Sequence, residues 1–70
     1  MKLKQMLDVL NVRHVAIDVI EAGGRTYRRG FDTLVGYDFE ELEKLRDWDV
    51  RRVSVAISDE GEPMLIIAIE

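Results

Sequence analysis

The sequence predicts an α+β fold in which a four-stranded, mainly antiparallel sheet carries two helices on one face. Apolar residues follow helical spacing in two segments and alternate in four others, which gives the order α-β-β-α-β-β. Two of the strand segments are apolar on both sides, so we expect them to be neighbours at the centre of the sheet, in the strand order 2-1-4-3. At 70 residues the chain is expected to form one domain, residues 1–70.

The first half of the chain predicts a helix followed by a hairpin. The helix is expected over residues 2–10, where four apolar residues have the i, i+3, i+4, i+7 spacing of one helix face: Leu3, Met6, Leu7 and Leu10. Residues 12–21 are rich in β-branched residues and predict a strand, and Gly23-Gly24 can supply the positive φ angles of a tight turn. The returning strand, residues 25–31, is rich in arginine. We place it at a sheet edge, where charge discourages edge-to-edge pairing.

A connector and a second helix are predicted next. The connector, residues 31–38, has room for one helical turn beginning at Asp32. The stretch DFEELEKLRDWD, residues 38–49, begins with Asp38 and Glu41 at the spacing of a capping box. Its apolar residues recur every three positions and are expected to face the core: Phe39, Leu42 and Leu45.

A second hairpin is predicted to close the sheet. Its first strand covers residues 50–58 and is expected to place Val53, Val55 and Ile57 on the core face. Gly61 is the flexible residue of the turn, and Pro63 stands at the first position of the last strand, where a missing N–H is tolerated.

Composition and charge narrow the class of function. Hydrophobic residues make up 47% of the chain and charged residues 34%, a balance typical of globular proteins. The net charge of −4 argues against non-specific binding to nucleic acid. The absence of cysteine excludes disulfides and thiolate chemistry. The apolar runs are too short to cross a bilayer and the start lacks the pattern of a secretory signal, so we expect a cytoplasmic protein without membrane contact.

The residues that carry catalytic chemistry are scarce. His14 is the sole histidine, and on a strand it lies about 13 Å from Asp18 at roughly 3.3 Å per residue, too far for the two to share a proton. Ser54 and Ser58 have no base near them in the sequence and no nucleophile elbow around them. We therefore expect no catalytic residues and no enzymatic activity.

Cofactor and metal motifs are also not recognisable. Asp59, Glu60 and Glu62 lie close together, but they lack the loop length and ligand order of a calcium site. The stretch EAGGR is too short for a phosphate-binding loop. From the sequence we therefore expect no metal site and no cofactor.

The sheet face opposite the helices is the predicted interaction surface. If both helices cover one face, six apolar residues remain on the other, and monomers seldom leave such a patch uncovered. We expect this face to contact a protein partner or a second copy in a symmetric homodimer. The predicted interface consists of Ala16, Ile20, Ala56, Met64, Ile66 and Ala68.

Two charged segments leave alternatives open. The stretch RTYRRG offers Arg25, Tyr27, Arg28 and Arg29 for contact with an anionic ligand, and a small nucleic-acid-binding regulator is the alternative function that it supports. Strand alternation, however, sends Arg28 to one face and the other three to the opposite face. The acids of residues 38–49 are either the solvated side of an ordinary helix or a surface presented to a basic protein.

The overall pattern adds a resemblance to the analysis by residue. The LKQMLDVL-type helix, the Gly-containing turn, the acidic helix and the final IIAIE resemble small, mostly hypothetical proteins of phages and prophages of Gram-positive bacteria. The resemblance covers nearly the whole chain, has no signature motif and transfers no functional residue. Where such proteins often carry a short acidic turn, this chain has EAGGRTYRRG.

The resemblance implies a mobile-element origin and the cytoplasm of a bacterial host. The expected function is a non-enzymatic protein–protein interaction module. Its most specific form is an inhibitor of a host defence system, similar to an anti-CRISPR protein, since small acidic proteins suit that role.

Overall fold

The predicted order of elements is confirmed. The computed structural model describes residues 1–32 and 39–70, with side chains described for residues 1–32 and 42–70. The elements are α1 Leu3–Val9, β1 His14–Ile20, β2 Thr26–Asp32, α2 Phe39–Leu45, β3 Val50–Ile57 and β4 Pro63–Ile69. Among these residues, no helix is long and apolar enough to cross a membrane.

The four strands form one mixed sheet in the predicted order, β2-β1-β4-β3. The two hairpins pair antiparallel, and the central strands β1 and β4 pair parallel, with Ile17 opposite Ile67. The central position of these two strands agrees with their composition, since both carry apolar residues on both sides.

Both hairpins close with three-residue loops, which differ at the middle residue: Gly23 has a positive φ of 90°, whereas Glu60 does not have a positive φ. In the first, the Glu21 N–H donates to the Arg25 carbonyl at 2.7 Å, and in the second the Ser58 N–H donates to the Glu62 carbonyl at 2.8 Å. The three residues between end in a glycine with positive φ, Gly24 at 82° and Gly61 at 80°. This is the three-residue hairpin loop in which glycine occupies the left-handed position without steric cost.

The hydrophobic core lies between one face of the sheet and both helices, as predicted. Its buried residues come from both helices and from the two central strands: Leu3, Val15, Ile17, Val19, Leu42, Ile67 and Ile69. Leu45 and Trp48 pack against this cluster from the side of α2. The strand residues of this cluster all lie on one side of the sheet, and both helices pack against that side. Among the described elements, no helix covers the opposite face of the sheet.

The start of the chain is tied to the connection between α2 and β3. The Leu3 N–H donates to the Trp48 carbonyl at 2.9 Å, and the Val50 N–H donates to the Met1 carbonyl at 2.8 Å. Lys2 Nζ also lies 2.9 Å from Asp49 Oδ1. These contacts explain why a helix of seven residues is stable here, since such a helix is marginal alone in water.

One expectation about β3 is wrong. Val53 and Val55 do point to the helix side, because they lie opposite Ile67 and Leu65 of β4. They are nevertheless 40% and 72% exposed, and Ile57 is 69% exposed. The physical reason is length: a seven-residue helix spans about 10 Å, whereas a strand of eight residues spans roughly 27 Å. The helices cannot cover all of β3.

Three predictions concern residues 33–41. They are the connector with its helical turn, the capping box of Asp38 and Glu41, and the core position of Phe39. The connector is predicted from residue 31, but Phe31 and Asp32 belong to β2. Residues 33–38 and the side chains concerned lie outside the described residues.

Candidate interaction surfaces

The sheet face opposite the helices, here called the helix-free face, holds the six residues of the predicted interface. Ala16 lies opposite Ile66 and Ala56 lies opposite Met64, so the fold does bring the set together. Ala16 and Ala68 are only 1% and 2% exposed, and the other four are half-buried: Ile20, Ala56, Met64 and Ile66. Neither Ile20 nor Ile66 belongs to the cluster beneath the helices.

A row of charged residues crosses the helix-free face. Arg28 donates to both oxygens of Asp18, with Nε–Oδ1 at 2.6 Å and Nη2–Oδ2 at 2.9 Å. The hydrogen bonds from Arg28 lower the pKa of Asp18, and the charge of Arg52 acts in the same direction. This row lies one residue pair away from Ile66, on the side towards Ile20. The predicted interface is therefore smaller and more polar than a continuous apolar face.

The outer strand β3 carries a more exposed apolar surface. We call the residues Val53, Val55 and Ile57 the β3 ribbon. They alternate along one side of the strand and are at least 40% exposed. Sequence reasoning found their alternation but placed them in the core. The signal that was missed is the short length of both predicted helices.

The backbone N–H and C=O groups of the β3 ribbon residues point away from β4, towards the outer edge of the sheet. In an antiparallel ladder, residues bonded to the neighbouring strand alternate with residues whose N–H and C=O point outward. The Ser58 N–H is bonded to the Glu62 carbonyl across the hairpin. Counting back in steps of two, the backbone N–H and C=O groups of Ala56 and Ser54 point towards β4. The backbone groups of the β3 ribbon therefore face the outer edge of the sheet. Met1 and Lys2 pair with the strand only at its beginning, beside Asp49 and Val50.

The other sheet edge, β2, differs from β3 in the position of its arginines, which lie in the middle of β2 and at the beginning of β3. Tyr27 and Arg29 lie on the helix side, where they line a cavity of about 240 Å³ with Lys44 of α2. Arg28 lies on the helix-free face with Asp18, and Arg25 precedes the strand in the turn. The predicted anion-binding set is thus divided between two faces, as strand alternation predicted.

A polar cluster joins the start of β1 to the β3–β4 turn. Arg13 Nε donates to Asp32 Oδ2 at 3.1 Å, and its Nη1 lies 3.4 Å from Glu62 Oε1. His14 Nε2 lies 2.8 Å from Glu62 Oε2 and 3.5 Å from Glu60 Oε2. The hydrogen bond to Asp32 raises the pKa of Arg13. Sequence reasoning missed the cluster because its members come from three separate segments of the chain.

The cluster has the donor set of a small metal site but already contains a cation. The ligand atoms of His14, Glu60 and Glu62 all lie within 4.8 Å of one another. Arg13 Nη1, however, is 3.4 Å from Glu62 Oε1 and 3.9 Å from Glu60 Oε2. A divalent ion would compete with this guanidinium for the same carboxylates, so the arrangement favours a structural ion-pair cluster.

The candidate catalytic residues have contacts that do not form a nucleophile–base pair. The Ser58 hydroxyl accepts the Glu62 N–H at 3.2 Å, and the described ring contacts of His14 are with glutamates. Ser58 and His14 do line a common cavity of about 360 Å³, a proximity that their separation in sequence did not indicate. Asp18 is bonded to Arg28 on the helix-free face.

The acidic stretch 38–49 is largely paired where its side chains are described. Glu43 Oε2 lies 3.4 Å from Arg46 Nη1, and Asp47 Oδ1 lies 3.0 Å from Lys4 Nζ. Lys2 binds Asp49 and lowers the pKa of its carboxyl group. The Glu43–Arg46 pair is local to the end of α2, whereas Asp47 and Asp49 connect the start of the chain to the segment between α2 and β3. These pairings favour the solvated-helix interpretation over an acidic surface for a basic partner.

No protein-family model, curated protein or solved structure matches the chain.

Proposed function

We propose that this protein is a non-enzymatic protein–protein interaction module that binds through the outer edge of β3. The observation that carries the proposal is the combination of outward-facing backbone groups with the exposed β3 ribbon. An extended segment can add to such an edge, because the backbone supplies hydrogen bonds and the side chains on one face supply apolar contact.

The charge distribution supports β3 over β2 as the binding edge. Natural sheets protect their edges with charged residues, and β2 carries Arg28 and Arg29 along its length. Residues 53–57 of β3 contain no charged side chain. Over residues 53–57 this edge is uncharged, carries exposed apolar side chains on one side and has no strand partner among the described elements, and such an edge is the kind that other strands recognise.

The helix-free face remains a second predicted contact region. The charged row of Asp18 with Arg28 limits the apolar area there, so we rank it below the β3 edge. The phage or mobile-element origin, and the inhibition of a host defence system as the specific role, stay proposals that rest on the sequence resemblance.

Site-specific photo-crosslinking tests the proposal. A photoreactive amino acid is placed at position 55 on the β3 ribbon and, as a matched control, at position 66 on the helix-free face. The labelled proteins are irradiated both alone and in a bacterial lysate, and crosslinked peptides are identified by mass spectrometry. We expect adducts with a discrete protein segment at position 55, either from another protein or from a second copy.

The pattern of adducts decides between the surfaces. Adducts confined to position 66 would assign binding to the helix-free face and contradict the β3 proposal. A lack of adducts at position 55, alone and in lysate, would also contradict it.

A second candidate function is binding of an anionic ligand such as nucleic acid. The cavity between β2 and α2 places Lys44 beside Tyr27 and Arg29, so two cationic side chains and an aromatic ring face one groove. Replacing Arg25, Arg28 and Arg29 by alanine should then weaken salt-dependent binding of labelled single-stranded DNA and RNA. Unchanged affinity in the triple variant, or no salt-dependent binding by the wild type, would exclude this function.

A further inference from the structure

We infer that the segment bound at the β3 edge is β3 of a second copy of this chain. The two strands pair antiparallel, with Val55 opposite Val55 of the second copy. The inference rests on the proposed function and specifies its partner. Three features of β3 support it. In this register the backbone hydrogen-bonding groups, the side chains and the charges at the strand ends of one copy each match those of the second copy.

The hydrogen bonds match in this register. Val55 lies opposite Val55 of the second copy, and Val53 lies opposite Ile57 of the second copy. All three residues direct their N–H and C=O groups outward, as the Ser58–Glu62 pair at the hairpin end establishes. Each of these opposing pairs is therefore a hydrogen-bonded pair in the new ladder. A shift by one residue would place inward-facing groups of Ser54 or Ala56 opposite outward-facing ones and lose the ladder.

The side chains match as well. Opposing residues in an antiparallel pair point to the same face, so the two β3 ribbons meet on the helix side of the joined sheet. Val55, which is 72% exposed in the single chain, gains a β-branched neighbour directly across the new pair. Ile57, at 69% exposed, gains Val53 of the second copy.

The charges at the two ends of β3 are opposite in sign. Arg51 and Arg52 stand at its beginning, and Asp59 and Glu60 stand in the turn that follows it. Antiparallel pairing centred on Val55 brings Arg51 opposite Asp59 of the second copy, and the same contact forms again at the other end. Parallel pairing would instead bring like charges together. Charge therefore selects the antiparallel dimer.

The dimer closes on itself. A two-fold axis perpendicular to the sheet relates the copies, so the joined sheet has eight strands in the order β2-β1-β4-β3-β3-β4-β1-β2. Both outer edges are then the arginine-bearing β2, which disfavours further addition of strands. A contact limited to one strand belongs with interfaces below about 1,200 Å², so we expect a reversible dimer with a Kd between about 1 μM and 1 mM.

Sedimentation equilibrium over that concentration range tests the association. The wild type should fit a monomer–dimer equilibrium. Val55→Lys places a charge at the centre of the new ladder and should raise the Kd at least about tenfold. Val9→Lys is the matched control, because Val9 is equally exposed, at 74%, but lies on α1. It should leave the Kd within about twofold of the wild type.

Single cysteines test the register, since the chain contains no other thiol. Val55→Cys should form a disulfide-linked dimer under mild oxidation, because opposing bonded residues have Cα atoms about 5.5 Å apart. A mixture of Val53→Cys and Ile57→Cys chains should form the mixed dimer. Val53→Cys alone should not, since two copies of residue 53 lie roughly 14 Å apart along the strands.

The outcomes separate the inference from the proposed function. A wild type that stays monomeric at the highest concentration and gives no disulfide at position 55 overturns the dimer. The proposed function then still stands if photo-crosslinking at position 55 yields another protein, and fails if it yields none. The register is overturned if Val55→Lys does not weaken the dimer. It is also overturned if Val53→Cys chains alone form a disulfide-linked dimer.

Discussion

The pair of Asp18 and Arg28 shows how one residue pair changes the character of a surface. On the sequence, Asp18 is a single acid in an apolar strand. In the fold its side chain is only 18% exposed and receives two hydrogen bonds from Arg28 across the hairpin. Arg28 of β2 therefore forms an ion pair within the chain. What could not be predicted is that the pair would divide the apolar residues of the helix-free face.

The depressed pKa of Asp18 predicts a pH dependence of stability. Its folded-state pKa lies below its ordinary value of 3.8, so its contribution is complete above about pH 5 and is lost as the pH falls through the folded pKa. Asp18→Asn should therefore lower the melting temperature at pH 7. The difference from the wild type should shrink below pH 4, as followed by circular dichroism.

Asp8→Asn is the control for this measurement, because the Asp8 side chain is 71% exposed and its contact with Arg46 is 4.0 Å long. It should change the melting temperature little at any pH. A gap between the wild type and Asp18→Asn that stays constant from pH 7 to acid conditions would contradict the role of the ion pair.

At the scale of elements, α1 is stable only through its contacts. Leu3 is fully buried and its N–H is bonded to the Trp48 carbonyl, whereas Val9 at the other end of the helix is 74% exposed. Leu3→Ala should lower the free energy of unfolding by about 2–5 kcal/mol. Val9→Ala should change it by less than about 0.7 kcal/mol, in the stabilising direction, because alanine is the better helix former. Urea denaturation at low protein concentration measures both, and equal losses would contradict the described packing of α1.

The strands show what a hydrophobic pattern can and cannot predict. Alternation correctly identified the inward side of β1, β3 and β4, because side-chain direction in a strand depends only on position parity. It could not tell whether a helix reaches far enough to cover that side. The pattern therefore predicts a core position for β3, whereas Val55 and Ile57 are largely exposed.

The same substitution on two strands tests this difference in coverage. Ile17 of β1 is fully buried, and Ile57 of β3 is 69% exposed. Ile17→Val should cost about 0.5–1.5 kcal/mol in the free energy of unfolding. Ile57→Val should stay within about 0.5 kcal/mol in the monomer. Equal costs in dilute urea titrations would mean that β3 is covered after all.

For the whole molecule, the order of strands followed from the sequence and the functional surface did not. Two strands with apolar residues on both sides are expected at the centre, and the two hairpins then place β2 and β3 outside them, which predicts the observed order 2-1-4-3. Contacts such as His14 with Glu62 join residues 48 positions apart, and no local pattern signals them. The outward direction of the β3 backbone likewise depends on hairpin register, which is a property of the assembled sheet.

Amide hydrogen exchange of the β3 ribbon, followed by NMR at two protein concentrations, tests most directly whether the molecule associates through this edge. The outward amides of Val53, Val55 and Ile57 should exchange quickly in dilute protein and at least about tenfold more slowly when most of the chain is dimeric. The outward amides of Arg28 and Gly30 on β2 are the internal control and should be unaffected. Exchange at Val53, Val55 and Ile57 that is equally fast at both concentrations would contradict association through β3.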